Sequence, residues 1–333
     1  MNAPIVHGGG ITAAAALHGG KPEEWLDLST GVSPFSAALP EISMRAWQRL
    51  PDGYLTDEAR QAARDYYGSG DILPLPVPGT QSAIQLLPRL LVGAGRAAVL
   101  GPTYGEYERA FKSAGCAVDL LDSVEQIDAA HALIVIVNPN NPDGRIYEPD
   151  TLVALCKRMA ASGGLVVVDE AFGDTVPEAS VVSLVAGLPN LIVFRSFGKF
   201  FGLAGLRLGF VVATGPILAR FENWLGPWAV SGPALSIASA LLRSDTAPIR
   251  QAIAERSAAL RTVLEGCGLR IHGGTALFSL VDHFSAGGLH AHLCRHRILV
   301  RKFDYAPHWL RFGVTADAAC DKRLAAALQS YDG

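Results

Sequence analysis

Short apolar runs that end abruptly in polar residues recur along the middle of the chain. The run 133–137 gives way to Asn138, the run 165–168 to Asp169, and the run 191–194 to Arg195 and Ser196. Runs this short and this rich in β-branched residues match strands buried on both faces of a parallel sheet. Between them the period changes. Leu152, Leu155, Cys156 and Met159 recur at helical spacing, which Gly163-Gly164 then stops. The stretch 83–91 has helical character behind the small-residue turn Gly79-Thr80-Gln81. Strands alternating with helices predict a doubly wound, mostly parallel α/β domain, whose ligands meet the carboxyl ends of the strands.

After residues 227–233 the pattern shifts. A helical stretch over 249–264 precedes strand-like pieces at 277–281, 298–301 and 309–314, then a closing helix over 318–330. That order predicts a smaller α+β domain. The expected division is an N-terminal arm with part of the small domain over 1–40, a large domain over 41–228, and a small C-terminal domain over 229–333.

With 50% of its 333 residues hydrophobic, the chain can bury a large core. A net charge of −3 and a pI near 6.3 argue against a nucleic-acid partner. No apolar run reaches the ~18 residues of a membrane span, and the first ten residues lack the features of a secretory leader. Cys116, Cys156, Cys267, Cys294 and Cys320 are scattered, with no CxxC, and read as reduced thiols of a cytoplasmic protein.

The chemistry concentrates behind the strand ends. Lys199, in Ser196-Phe197-Gly198-Lys199, stands among aromatics and a glycine where a strand yields to a tight loop. A partly desolvated lysine loses its proton more readily, and a neutral amine forms a Schiff base with an aldehyde. Ser196 and Arg207 flank it and can hold a phosphate; aldehyde plus phosphate describes pyridoxal 5'-phosphate. Asp169 at a buried strand end needs a partner: a helix cap, a salt bridge, or a protonated pyridine nitrogen, which Lys199 favours. Asn138-Pro139-Asn140-Asn141-Pro142-Asp143-Gly144 is a turn in which Asn141 can donate to the cofactor's phenolic oxygen. Backbone N–H groups of Gly79, Thr80 and Gln81 can meet an anion, and Tyr104 can stack on a flat ring or simply fill the core.

Other patterns carry less. Gly8-Gly9-Gly10 and Gly93-Ala94-Gly95 lack the strand-then-helix context of a dinucleotide loop. His290, His292, Cys294 and His296 repeat at i+2, which scatters them around a helix and argues against a metal site. Arg295, Arg297, Arg301 and Lys302 read as a solvated basic face or as a receiver for an anionic substrate.

In their order along nearly the whole chain, the Gly-Thr-Gln, Pro-Thr-Tyr, Asn-Pro-Asn-Asn-Pro-Asp-Gly, Asp-Glu, Ser-Phe-Gly-Lys, Gly-Leu-Ala-Gly-Leu-Arg and Leu-Arg-Phe-Gly-Val motifs resemble the class I/II aminotransferases. These are fold-type I pyridoxal-phosphate enzymes. The resemblance implies that Lys199 carries the Schiff base, Asp169 pairs the ring nitrogen, Asn141 bonds the phenolic oxygen and Tyr104 stacks. It gives the phosphate to Gly79, Thr80, Gln81, Ser196 and Arg207, and an acidic group of the substrate to Arg311. His7-Gly8-Gly9, with Leu26-Asp27-Leu28-Ser29 and Ser33-Pro34, looks like a branch that decarboxylates a phosphorylated amino acid. There His7, Gly8 and Gly9 would meet the substrate phosphate. The alternatives are amino-group transfer, as from histidinol phosphate, and a non-catalytic cofactor-binding protein. Departures stand at Phe172, where relatives have tyrosine, at Leu50, for which Tyr54 can substitute, and at Gly31, a substrate position often held by asparagine. The resemblance also implies a homodimer.

Overall fold

The computed structural model describes residues 5, 7–91 and 95–332. Gly93 and Ala94 of the second glycine pattern lie outside the described residues. The strands are β1 (Leu26–Leu28), β2 (Leu75–Val77), β3 (Arg96–Leu100), β4 (Val118–Leu121), β5 (His131–Val137) and β6 (Leu165–Asp169). They continue with β7 (Leu191–Ser196), β8 (Gly209–Val212), β9 (Arg270–Thr275), β10 (Phe278–Asp282), β11 (Ile298–Lys302) and β12 (Trp309–Gly313). The contacts divide them between a large unit (37–141 and 145–246) and a small one (1–36, 142–144 and 247–333).

In the large unit the sheet runs β2-β8-β7-β6-β5-β3-β4. The five strands from β4 to β7 are parallel, and β8 is antiparallel to both neighbours. The apolar runs separate by the strand period of two. Val135, Val137, Val167, Ile192 and Phe194 pack on one face with Phe111 and Phe221; Ile134, Ile136, Val166, Val168 and Val193 pack on the other. That second face receives Leu152, Leu155, Cys156 and Met159 of helix Pro149–Ala160, so the helical spacing marks the buried stripe. Helix Thr80–Leu86 gives way to a 3-10 turn, Leu87–Leu90, where Pro88 removes the N–H that a longer α-helix would need.

The sequence reading puts residues 229–246 in the small domain, whereas the contacts put them in the large unit. Helix Gly232–Leu242 buries residues all around, including Ala234, Leu235, Ile237, Ala238 and Leu241, and it packs on helix Gly53–Tyr67. Residues 37–40 also go with the large unit.

In the small unit the sheet runs β1-β11-β12-β10-β9, with β1 parallel to β11 and the other pairs antiparallel. Helices Ala247–Gly266, Ala286–Arg295 and Ala318–Gln329 supply Leu260, Leu264, Leu289, Leu293, Leu324 and Leu328 to its core. The end of the Asn/Pro turn also belongs to this unit: Gly274 N–H donates to the Asp143 carbonyl at 2.9 Å. At Gly144, with φ of +75°, a side chain would start 1.8 Å from the Gly274 carbonyl oxygen. Only glycine fits there.

Candidate active site

Because β5, β6 and β7 are parallel, their carboxyl ends share one edge of the large unit's sheet, and Asn138, Asp169 and Ser196 stand there. Asp169 is 4% exposed. Tyr107, fully buried on helix Glu106–Ser113, donates its hydroxyl to Asp169 Oδ2 at 2.7 Å, and the Ala171 N–H donates to Oδ1 at 3.0 Å. Burial pushes the Asp169 carboxyl up to about 6; the bonds from Tyr107 and Ala171 and the charge of Lys199 oppose the rise. Burial also lifts the Tyr107 phenol well above its ordinary value, so it remains protonated as a donor. Lys199 is half-buried in the single turn Phe197–Phe200 behind β7, between the buried Phe197 and Phe200.

The loops at this edge are built around the other candidates. Asn140, 1% exposed, donates to the Pro102 carbonyl at 2.9 Å and accepts from the Thr103 hydroxyl at 2.6 Å. Asn138 bonds both backbone groups of the Tyr147 region, accepting from Tyr147 N–H at 2.8 Å and donating to its carbonyl at 3.2 Å. These two side chains hold the turn, and the half-buried Asn141 follows them. Gly79 has φ of +74°, and a Cβ there would lie 2.7 Å from Nη2 of Arg207. The guanidinium therefore lies directly against the Gly79 backbone at the start of helix Thr80–Leu86. Arg207 Nη1 also donates to the Ala204 carbonyl at 3.1 Å. The Gln81 side chain accepts from the Tyr104 hydroxyl at 3.2 Å and donates to buried Glu106 at 2.9 Å. Tyr104 and Tyr107 meet edge to face, 6.4 Å between centroids.

Two contributions escape a reading of the sequence. Tyr107 looks like an ordinary core aromatic on a helix face shared with Ala110 and Phe111, and only the fold brings it to Asp169. Beneath the site, Arg195 pairs with Glu170 at 2.6 Å and Asp174 at 2.8 Å, all three buried, and its guanidinium lies 4.5 Å from the Tyr67 ring centre. Burial opposes the Arg195 charge, yet Asp174 and Glu170 outweigh it and hold the group above its usual range. A charged residue closing an apolar strand, with Asp-Glu on the neighbouring strand end, is the clue the sequence offers. Phe172 is also buried, whereas Leu50 is 64% and Tyr54 59% exposed.

The small unit gathers a second group. Arg311 on β12 is 7% exposed, donates Nη2 to the Ser29 carbonyl at 2.9 Å, and lies over the Phe278 ring at 4.9 Å. Arg301 on β11 stands directly opposite it in the strand register. Like charges in that relation repel, and a bound anion relieves them. Two further members of the basic cluster have partners of their own: Arg297 pairs with Glu24 at 2.9 Å and Arg295 contacts His292. Gly9 N–H donates to Ser29 Oγ at 2.7 Å, which holds the exposed His7 and its glycines on this unit, and buried Gly31 follows Ser29 by two residues. Among the described residues, no group of three or more His, Cys, Asp or Glu can hold a metal ion.

The sequence profile of aminotransferase class I and II matches residues 23–328. A threonine-phosphate decarboxylase from Sinorhizobium sp. is 60% identical over 328 residues, 98% of both chains. One from Pseudomonas aeruginosa is 42% identical over 332 residues, again 98% of each. The solved histidinol-phosphate aminotransferase from Sinorhizobium meliloti, in complex with pyridoxal-5'-phosphate, superposes with a TM-score of 0.84 at 22% identity, covering 98% of this chain and 94% of that one. At that identity the likeness is one of fold.

Proposed function

Since this chain belongs to the aminotransferase class I and II family, we propose that it is a pyridoxal-phosphate-dependent lyase acting on L-threonine O-3-phosphate. It releases CO2 and (R)-1-amino-2-propanol O-2-phosphate, a building block of cobalamin. The observation that carries the substrate is 60% identity to a threonine-phosphate decarboxylase across 98% of both chains. When bound, the cofactor supplies an aldehyde for an amine and a ring that withdraws electrons from the carbon bearing that amine.

The residues fit such a group. Asp169 is a buried carboxylate with the charge of Lys199 acting on it, suited to a cationic ring nitrogen. The Gly79 backbone with the Arg207 guanidinium against it leaves a cradle that any side chain at 79 would fill, suited to a phosphate. Thr80, Gln81 and Ser196 are assigned to the same phosphate, Asn141 to the phenolic oxygen, and Tyr104 to the ring face. Lys199 would supply the amine that holds the aldehyde and the group that moves a proton at the reacting carbon.

Substrate selection falls to the small unit. Arg311 and Arg301 receive acidic groups, and His7, Gly8, Gly9 and Gly31 complete the contacts to the phosphorylated end. Fixing two acidic groups fixes which bond at the amine-bearing carbon is placed to break, and so directs loss of carboxylate over loss of hydrogen. The buried Phe172 supplies no hydroxyl, in keeping with a branch apart from the aminotransferases. Five free cysteines support a cytoplasmic setting, and the exposed apolar side chains of Leu39, Met44, Trp47, Leu50 and Tyr54 support a homodimer.

The test supplies O-phosphothreonine with and without 2-oxoglutarate. CO2 release that needs no keto acid is expected, together with a pyridoxyl group fixed by borohydride at Lys199. Transfer that requires the keto acid, without CO2, replaces this reading with an aminotransferase.

A further inference from the structure

We infer that Ser29 is a positioning residue: its side chain seats the N-terminal arm while its backbone carbonyl orients Arg311. This rests on the reading of a phosphorylated amino acid as substrate and adds how the arm is made ready for it.

Ser29 is 2% exposed and uses each of its polar atoms. Its hydroxyl donates its one proton to Asp27 Oδ1, and its N–H donates to the same oxygen at 2.8 Å. With the proton committed to Asp27, Oγ has only lone pairs left to offer, and it accepts the Gly9 N–H at 2.7 Å. The Ser29 carbonyl accepts Arg311 Nη2 at 2.9 Å. One buried residue therefore holds the arm through its side chain and the arginine through its backbone. The arm pays for that closeness in residue type. A Cβ on Gly8 would stand 2.2 Å from the Ser29 carbonyl oxygen and 2.8 Å from its carbon, so any side chain there displaces the arm or the oxygen that Arg311 uses.

Asp27 is the remote anchor. Without it the Ser29 hydroxyl is free to rotate and to present its proton toward Gly9, where a donor would meet a donor. The chain Asp27–Ser29–Gly9 thus fixes the direction of every hydrogen bond as well as the position of the arm. A freely moving arm would have to be ordered when substrate binds, which lowers affinity; an arm already seated avoids that cost.

The experiment compares Ser29→Ala, Ser29→Thr and Gly8→Ala with the parent. It reads amide hydrogen exchange at Gly9 in the substrate-free holoenzyme, and kinetics with O-phosphothreonine and with threonine. Loss of one neutral hydrogen bond scales to about three- to tenfold. Ser29→Ala is expected to speed Gly9 exchange and raise KM for O-phosphothreonine by about that factor, while kcat falls less than about twofold. Threonine, which has no phosphate for the arm, is expected to be handled alike by both proteins. Ser29→Thr keeps the acceptor and is expected to restore slow exchange; Gly8→Ala is expected to speed it. Unchanged Gly9 exchange in both Ser29→Ala and Gly8→Ala overturns the proposal, as does an equal rise in KM for both substrates. A parent that releases no CO2 from O-phosphothreonine defeats the functional reading instead, and Gly9 exchange still decides the seat.

Discussion

Asp169 shows how one side chain answers two opposed demands. Its charge is what a cationic ring nitrogen requires, and its burial penalises that same charge. In the folded protein without cofactor its carboxyl titrates at about 6, against about 4 in an unfolded chain. The folded form therefore holds the proton more tightly than the unfolded form across that interval. Stability falls as pH rises from about 4 to about 6, and the penalty is constant above. Asp169→Asn removes the titration. The variant is expected to gain on the parent through that window and to level off at no more than roughly 3 kcal/mol, at 1.36 kcal/mol per unit. Urea unfolding of the two cofactor-free proteins at several pH values checks this, and a difference that does not change with pH contradicts it. Tyr107→Phe takes away a donor that favours the carboxylate, so it is expected to carry the upper end of the window to higher pH.

At the scale of elements, the closest fit in the small unit is the turn 142–144 against β9. Gly144→Ala puts a methyl group into the Gly274 carbonyl and strains a left-handed residue. It is expected to cost about 2–3 kcal/mol and to lower the urea midpoint. Gly215→Ala, with nothing within 4 Å of its would-be methyl, is expected to stay within about 0.5 kcal/mol of the parent. The elements legible in the sequence include β5, β6, β7, β10, β11, β12 and helices Pro149–Ala160, Ala247–Gly266 and Ala318–Gln329. β9 escapes because Gly273 and Gly274 interrupt its alternation, and helix Ala286–Arg295 escapes because Gly287, Gly288 and its histidines blur the apolar stripe. The candidate site divides the same way. Asp169 and Lys199 are visible because charge at the end of a buried strand is anomalous. Tyr107 and Ser29 are ordinary residue types whose importance comes from partners 62 and 282 positions away.

At the scale of the molecule, the large unit carries apolar side chains that face solvent in a single chain. Trp47 is 61% and Met44 63% exposed, close in sequence to Leu39, Leu50 and Tyr54. Exposed apolar groups gathered in one segment mark an interface. Trp47→Glu is expected to shift the protein from dimer to monomer at micromolar concentration, read by light scattering after size-exclusion chromatography, with an unchanged circular dichroism spectrum. A parent that is monomeric over that range contradicts the proposed homodimer. The small unit, by contrast, is assembled from three separate stretches of chain. During synthesis the large unit can close once residue 246 has cleared the ribosome tunnel, whereas β1 waits for β11 to be translated before its backbone finds a neighbour. The arm seated on Ser29 is thus among the earliest segments made, while the strand beside its seat is among the last to gain a neighbour, so a chain that ends before β11 leaves that seat next to an unpaired strand.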